Sequence, residues 1–388
     1  MQPKKRKLLI DILIFLTLCS VFAFSNITLL VVSLQSILVG VTLLNILHTK
    51  KIKFSIHFYW MTCFILWGLF VSLFAYDPVL STVTLANMFL KFLFYTSLYI
   101  YVDSEKKMNF VTKSIAIAGL VLVLRVIIFT PINAWGTERL GEAIDLNANA
   151  LGVVMAYASI CSLYLAKKLN QKYFYLMLIP FIFIGLLTGS RKAFFMIAGG
   201  ISLLIFLSIN KKRQYFIYTI IILIFIGALY AAIMNVPILY NVLGSRIESM
   251  GLSATNDVDA SSRTRSIMIS EALSIFHKSP FLGIGLENFR LISSFKTYSH
   301  NNYMEILSST GIVGLFIYYS LPVTILISSF IKWVRKEKEY NIIIVLLIIV
   351  LVMDYGLVSY KQLVTQTIIV ISVSYYMILT TMNIKKQK

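Results

Sequence analysis

The chain has 388 residues, of which 59% are hydrophobic and 13% charged, with a mean hydropathy of +0.84. Soluble domains carry about 25% charged residues and lack repeated apolar stretches of membrane-crossing length, so a soluble globular protein is excluded. The formal net charge of +19 resembles a nucleic-acid footprint only until the positions of the basic residues are read.

A helix needs about 20 apolar residues to cross a bilayer. About twelve such runs are predicted, at 8–24, 26–47, 56–76, 79–102, 110–130, 147–166, 173–188, 192–209, 215–234, 303–331, 341–358 and 363–380. No segment alternates like a barrel strand, so a helical bundle is the spanning solution that pairs every backbone polar group. The expected fold is an all-α polytopic membrane protein forming one domain over 1–388. The first run has a basic leader, Lys4, Lys5, Arg6 and Lys7, with no small-residue cleavage site, and reads as a retained helix rather than a signal peptide. Lys50, Lys51 and Lys53 follow the second run, Lys106 and Lys107 the fourth, and Lys167, Lys168 and Lys172 the sixth. Lys211, Lys212 and Arg213 follow the eighth, and Lys332, Arg335, Lys336 and Lys338 the tenth; Lys385, Lys386 and Lys388 lie beyond the last. All fall on one side, which the positive-inside rule makes cytoplasmic, with both termini inside. The basic excess is therefore topology, and no nucleic-acid partner is expected. Cys19, Cys63 and Cys161 all lie inside apolar runs, with neither a disulfide framework nor metal-ligand spacing.

Three connections face the other side: 131–146, the tight turn at 189–191, and a long loop at 235–302. In the first, Glu138-Arg139-Leu140-Gly141-Glu142 and Asn147-Ala148-Asn149-Ala150 offer carboxylates and amides for sugar hydroxyls, or make an ordinary polar loop and helix cap. Arg125, near the outer end of its run, is placed to join an anion site, whereas mid-run Lys91 calls for a structural partner. Asp354 is a candidate partner for Lys91, Arg125 or Lys361. Arg191 stands in Thr188-Gly189-Ser190-Arg191-Lys192, a polar break between two apolar runs. A guanidinium there either flanks a helix end or grips phosphate or carboxylate bidentately. Its place on the side poor in basic residues favours the grip.

The long loop begins with a polar, flexible stretch, Ser253-Ala254-Thr255-Asn256-Asp257, and its charges nearly balance. From Ser262 to His277 the residues Ile269, Ala272, Leu273 and Phe276 recur at helical spacing, predicting an amphipathic helix along the membrane surface. Arg263 and Arg265 fall at its N-terminus, the unfavourable end for cations unless an anion shares the site; pairing with Asp257, Asp259 or Glu271 is the other reading. Arg290 joins them as a substrate-binding candidate. His300 precedes a span, among Ser299, Asn301, Asn302 and Tyr303, where an imidazole can take a proton from a sugar hydroxyl. No dinucleotide fingerprint, phosphate-binding loop, zinc spacing or paired aspartates occur, so no cofactor and no metal are expected.

These residues resemble the O-antigen polymerase and ligase family. The resemblance runs from about 135 to 330 and rests on Thr188-Gly189-Ser190-Arg191, on Ser262-Arg263 to Arg265 leading into Pro280-Phe281-Leu282-Gly283-Ile284-Gly285-Leu286-Glu287-Asn288-Phe289, and on His300-Asn301-Asn302-Tyr303-Met304-Glu305 through Thr310-Gly311-Ile312-Val313-Gly314-Leu315. It implies a bacterial inner-membrane enzyme similar to the C-type glycosyltransferases, using polyisoprenyl-diphosphate-linked glycans as donor and acceptor. By position, Arg191 and Arg265 would hold the donor diphosphate, His300 would be the base, and Asn149 resembles the family's asparagine at the start of its span. Arg263 is the alternative to Arg265, and Ile269 stands where the family often has tryptophan. The implied function is metal-free polymerisation of repeat units into O-antigen or capsule, beside a flippase and a chain-length regulator. A ligase transferring glycan to lipid A-core is the alternative, and a transporter of lipid-linked sugars is the rival from another class.

Overall fold

The computed structural model describes residues 3–49, 55–209, 211–252 and 260–387. In chain order its helices are α1 (Pro3–Ala23), α2 (Thr28–Thr49), α3 (Ile56–Ser72), α4 (Pro78–Tyr101), α5 (Glu105–Phe129), α6 (Ala148–Leu169), α7 (Tyr173–Leu176), α8 (Leu178–Leu187), α9 (Arg191–Leu207) and α10 (Lys212–Asn235). There follow α11 (Pro237–Leu239), a π-helical turn (Tyr240–Gly244), α12 (Ser245–Leu252), α13 (Ala260–Lys278), α14 (Phe289–Ile292), α15 (Asn302–Val334), α16 (Asn341–Asp354) and α17 (Leu363–Gln387). Among the described residues there is no sheet, only an isolated bridge between Trp135 and Glu138.

Each predicted run coincides with helix, but 7 helices among the described residues are long and apolar enough to cross a membrane: α2, α4, α5, α6, α10, α15 and α17. The expectation of about twelve is thus met only in part. Length is the reason for several: α3, α7 with α8, α9 and α16 have 17 residues or fewer in each continuous stretch, and about 20 are needed. In α1 the basic leader and Asp11 dilute the apolar content. Even so, α10 and α2 turn apolar side chains outward along most of their length: Phe216, Leu223 and Ile224 on one, Leu29, Leu44 and Leu47 on the other. Faces this apolar and unburied belong in lipid, and the protein is a multi-pass membrane protein.

The chain divides into two compact units. The first comprises Met1–Leu38, Ser104–Asp257 and Lys332–Leu346. At its centre α6 packs against α5, α8 and α9, and every side chain from Leu151 to Ala166 is buried. A helix apolar all round belongs in a core. Helix α1 runs along α5, and Arg125 of α5 donates to the Ala23 carbonyl at the C-terminus of α1, with Asn26 Oδ1 at 3.4 Å and the Phe24 ring centroid 4.5 Å away. That is a helix-end role for a cation, favourable by the dipole, rather than the anion contact expected of it.

The second unit comprises Val39–Asp103, Val258–Ile331 and Leu347–Lys388. Here α3 pairs with α4, and α17 with α4. Helix α15 is interrupted at Gly311, whose φ of 67° and ψ of −174° are not helical. The break frees backbone groups that Gly283-Ile284-Gly285 then pairs: Ile284 N donates to Ser308 O at 3.0 Å, Gly285 N to Ser309 O at 2.9 Å, and Ile312 N to Pro280 O at 2.9 Å. Two stretches that carry the resemblance are therefore hydrogen-bonding partners. A Cβ at Gly311 would lie 2.1 Å from Phe281 O, so the approach itself requires glycine. The indole Nε1 of Trp67 donates to Thr310 O at 2.9 Å and that of Trp60 to Ile317 O at 2.8 Å, tying α3 to the broken helix.

The helix expected over 262–277 is present as α13 (Ala260–Lys278), and it also buries a face against protein. Met268, Ala272 and Ile275 are buried, packed with Phe289, Ile284, Phe295 and Met304, while Ile269, Leu273 and Phe276 are only partly covered. The face is set by the loop that folds back on it, a partner that periodicity does not reveal. Ser253-Ala254-Thr255-Asn256-Asp257, with Asp259, lies outside the described residues.

Candidate functional site

In the first unit the site is built on the turn between α8 and α9. The Thr188 hydroxyl donates to Gly185 O at 2.7 Å and accepts from Ser190 N at 3.2 Å. Ser190 Oγ accepts from Ala193 N at 3.3 Å, capping α9 and setting Arg191 as its first residue. Gly189 has φ +59°, and a Cβ there would meet Val242 O at 2.6 Å. The last carbonyls of α8 and the turn, which no helix bond can reach, are taken from outside. Leu187 O accepts from Leu140 N at 3.2 Å, Thr188 O from Arg139 Nε at 2.8 Å, and Gly189 O from Arg246 Nη1 at 2.6 Å. Arg191 Nη1 reaches Arg246 O at 3.4 Å, and Arg139 Nη2 donates to Asn149 Oδ1 at 3.0 Å. Burial lowers the Arg139 pKa, and the neighbouring Arg246 charge lowers it further, against an opposing pull from Glu142.

In the second unit the site is the segment before α15. His300 is half-buried with φ +55°, a left-handed conformation that histidine tolerates better than bulky residues do. Around it, Ser299 N donates to Glu305 Oε2 at 2.7 Å, Ser299 Oγ donates to Asn301 O at 2.8 Å, and Asn301 Oδ1 caps α15 by accepting from Met304 N at 3.1 Å. The Tyr298 ring lies 4.3 Å from the His300 ring, centroid to centroid. Burial raises the Tyr298 pKa, Glu305 adds to the rise, and the Arg265 charge opposes it. Glu287, also at positive φ, is gripped by Lys361, by Tyr360 Oη at 3.1 Å and, more loosely, by Arg290 at 3.8 Å. Lys361 Nζ sits 5.8 Å from the Tyr298 ring centroid.

The candidate residues thus fall into two groups. Arg139, Asn149 and Arg191 meet on one turn. His300 packs on Tyr298 beside Asn301, Arg290 contacts Glu287, and Arg265 is linked to the group only through its charge acting on Tyr298. Arg263 is exposed. Tyr303 spends its hydroxyl on Leu351 O at 2.7 Å and stacks on Tyr319 at 4.7 Å. Asp354, expected to pair with a cation, instead accepts from Asn302 at 3.1 Å and Tyr319 at 2.7 Å, and it is Glu287 that takes Lys361. Lys91 donates to the Lys361 carbonyl at 2.9 Å. Glu271 accepts from Ser293 Oγ at 2.7 Å and from Ser294 Oγ. Sequence reasoning passed over Arg246, hidden in a loop whose charges nearly cancel, and Glu305, whose only signal was its place in the histidine block.

Residues 176–319 match the family model described as O-antigen ligase. Over that stretch the chain is similar to the O-antigen ligase family, consistent with the O-antigen polymerase and ligase resemblance. No curated protein matches the chain. The matched segment takes in Arg191, Arg246, Arg263, Arg265, Arg290, His300, Asn301 and Tyr303, whereas Arg125, Arg139 and Asn149 precede it. It is narrower than the 135–330 expected at the outset. Both halves of the glycine pairing, Gly283-Ile284-Gly285 and Thr310-Gly311, lie inside it, so the matched segment includes the helix break as well as the charged side chains.

Proposed function

We propose that the chain is a glycosyltransferase that polymerises polyisoprenyl-diphosphate-linked oligosaccharide repeats into a surface polysaccharide, O-antigen or capsule. It works at the outer face of the bacterial inner membrane, with both termini cytoplasmic, about twelve crossings and the 235–302 segment outside. The match over 176–319, which takes in Arg191, Arg265 and His300, carries the reading. In the reaction the acceptor hydroxyl attacks the anomeric carbon of the donor chain. The carbon–oxygen bond to the diphosphate breaks, and the diphosphate leaves with the electron pair. Arg191 and Arg265 stabilise the charge gathering on it, as preorganised guanidiniums do. His300 removes the hydroxyl proton. Arg139, Asn149, Arg263 and Arg290 contribute to substrate binding, and a flippase and a chain-length regulator are the expected partners.

The likeness to O-antigen ligases supports a second reading, in which the chain hands the glycan to lipid A-core. Purified protein in liposomes, supplied with a lipid-diphosphate oligosaccharide, separates the two. Longer lipid-linked products in the presence of EDTA support the metal-free polymerase; product only on adding lipid A-core means ligase. Translocation without a new glycosidic bond would overturn both. Arg191→Ala and His300→Ala are each expected to lower turnover by about 10²-fold or more in protein that still inserts.

A further inference from the structure

Asp354 is the last residue of α16, the end at which the helix dipole disfavours a carboxylate. It is 1% exposed. The basic side chains that the sequence offered it are spent elsewhere: Lys361 on Glu287, Lys91 on the Lys361 carbonyl, and Arg125 on the Ala23 carbonyl. Among the described residues no salt bridge reaches it. Its Oδ2 accepts from Asn302 Nδ2 at 3.1 Å and from Tyr319 Oη at 2.7 Å, whereas its Oδ1 has no hydrogen-bond partner. A buried carboxylate with neither a counter-charge nor its full set of hydrogen bonds is costly. The same net holds two more oxygens in that condition. Asn302 Oδ1 accepts from Ser359 N at 2.9 Å and from Tyr360 N at 3.0 Å, which brings the 359–360 segment to the amide that holds Asp354. Gln366 Nε2 donates to Tyr318 Oη at 2.6 Å and to Ser359 O at 3.2 Å. Both amide protons of Gln366 are then used, and its Oε1, like Ser359 Oγ, is buried without a partner. The three oxygens come from α16, from the connection after it and from the first turn of α17, all in the second unit. A proton on the carboxyl group bridges at most two of them, whereas a cation draws on all three. The C-terminal end of α16 adds its own negative field, and helix ends of this kind serve small cations. One carboxylate among neutral oxygens suits a single positive charge. Among the described residues no three His, Cys, Asp or Glu side chains gather as a more highly charged metal would want.

We propose that Asp354 Oδ1, Ser359 Oγ and Gln366 Oε1 bind one alkali cation, sodium or potassium. Bound there, the ion offsets the carboxylate and stiffens the net around Asn302, which opens α15 two residues after His300. It takes no part in the bond chemistry proposed above and is not removed by EDTA, so the site does not rest on the glycosyl-transfer reading.

The test measures the unfolding temperature of the full-length protein in nanodiscs against sodium, potassium or choline chloride at equal ionic strength, with sodium NMR line broadening as a direct measure of binding. Sodium or potassium is expected to raise the unfolding temperature saturably above the choline value. Asp354→Asn keeps an acceptor for Tyr319 Oη while removing the charge, and should abolish the ion effect. Ser359→Ala leaves the backbone contacts to Asn302 in place and should weaken binding roughly tenfold, the worth of one oxygen ligand to a charge. Equal unfolding temperatures in all three salts, with no sodium broadening, overturn the proposal. Stabilisation that follows falling pH equally in every salt also overturns it, because the carboxyl group then carries a proton instead. Full ion effects retained in Ser359→Ala and Asp354→Asn place the cation elsewhere and sink the site. Should Asp354→Asn fail to insert, direct binding to the wild type and the loss in Ser359→Ala still decide the matter. None of these outcomes touches polymer formation, so the glycosyltransferase reading stands or falls separately.

Discussion

His300 owes its position to a carboxylate on the helix that follows it. Glu305 is buried at 1% exposure and accepts from Ser299 N at 2.7 Å, fixing the residue immediately before the histidine. An unpaired buried N–H is costly, so Glu305→Ala leaves that segment free to shift. Displacement of a reacting group by about 1 Å can cost 10²-fold, and the expected result is a 10- to 100-fold fall in turnover with little change in donor KM. Glu305→Gln retains an acceptor oxygen and should recover most of the rate. Wild-type turnover in the alanine variant would remove Glu305 from this role. At this scale the sequence was legible wherever a charge stood out against apolar neighbours, as Arg191 does. It was not legible for Arg246 or Glu287, because their partners, the Gly189 carbonyl and Lys361, are far away in the chain.

Among elements, the helices were readable because apolar runs of spanning length leave the backbone few alternatives. The break in α15 was not, because its partner is backbone rather than side chain. Thr310-Gly311 interrupts the helix and Gly283-Ile284-Gly285 takes up the freed groups, so each stretch makes sense only beside the other. Gly311→Ala forces a side chain into positive φ and against Phe281 O. It is expected to cost about 1–3 kcal/mol, read as a lower unfolding temperature in detergent, and to release the 281–286 amides to hydrogen exchange. Unchanged exchange at Ile284 and Gly285 would show that the two stretches hold together by other means. The protein-facing stripe of α13 was not legible for a related reason: Met268, Ala272 and Ile275 pack against Phe289, distant in sequence.

For the whole molecule, charge distribution supplies the prediction. The basic clusters precede the first run and follow alternate later ones, and the positive-inside rule then predicts the Lys167–Lys172 connection inside and the 235–302 segment outside. A cysteine at Ser294, an exposed position, should react with an impermeant maleimide in intact spheroplasts. A cysteine at Gln171 should react only after permeabilisation. The reverse pattern would invert the proposed orientation and place His300 on the cytosolic side.

Helices α6 and α10 both have the length and hydropathy of membrane spans, yet they are held to different standards. Every side chain from Leu151 to Ala166 abuts protein, so even one added methylene must displace a neighbour. Much of α10 abuts none, and exchanging leucine, isoleucine or phenylalanine there changes only what the surrounding acyl chains touch. Natural variation should therefore accumulate along α10 as interchangeable oily residues and stay nearly frozen along α6, though hydrophobicity alone ranks α10 as the stronger span.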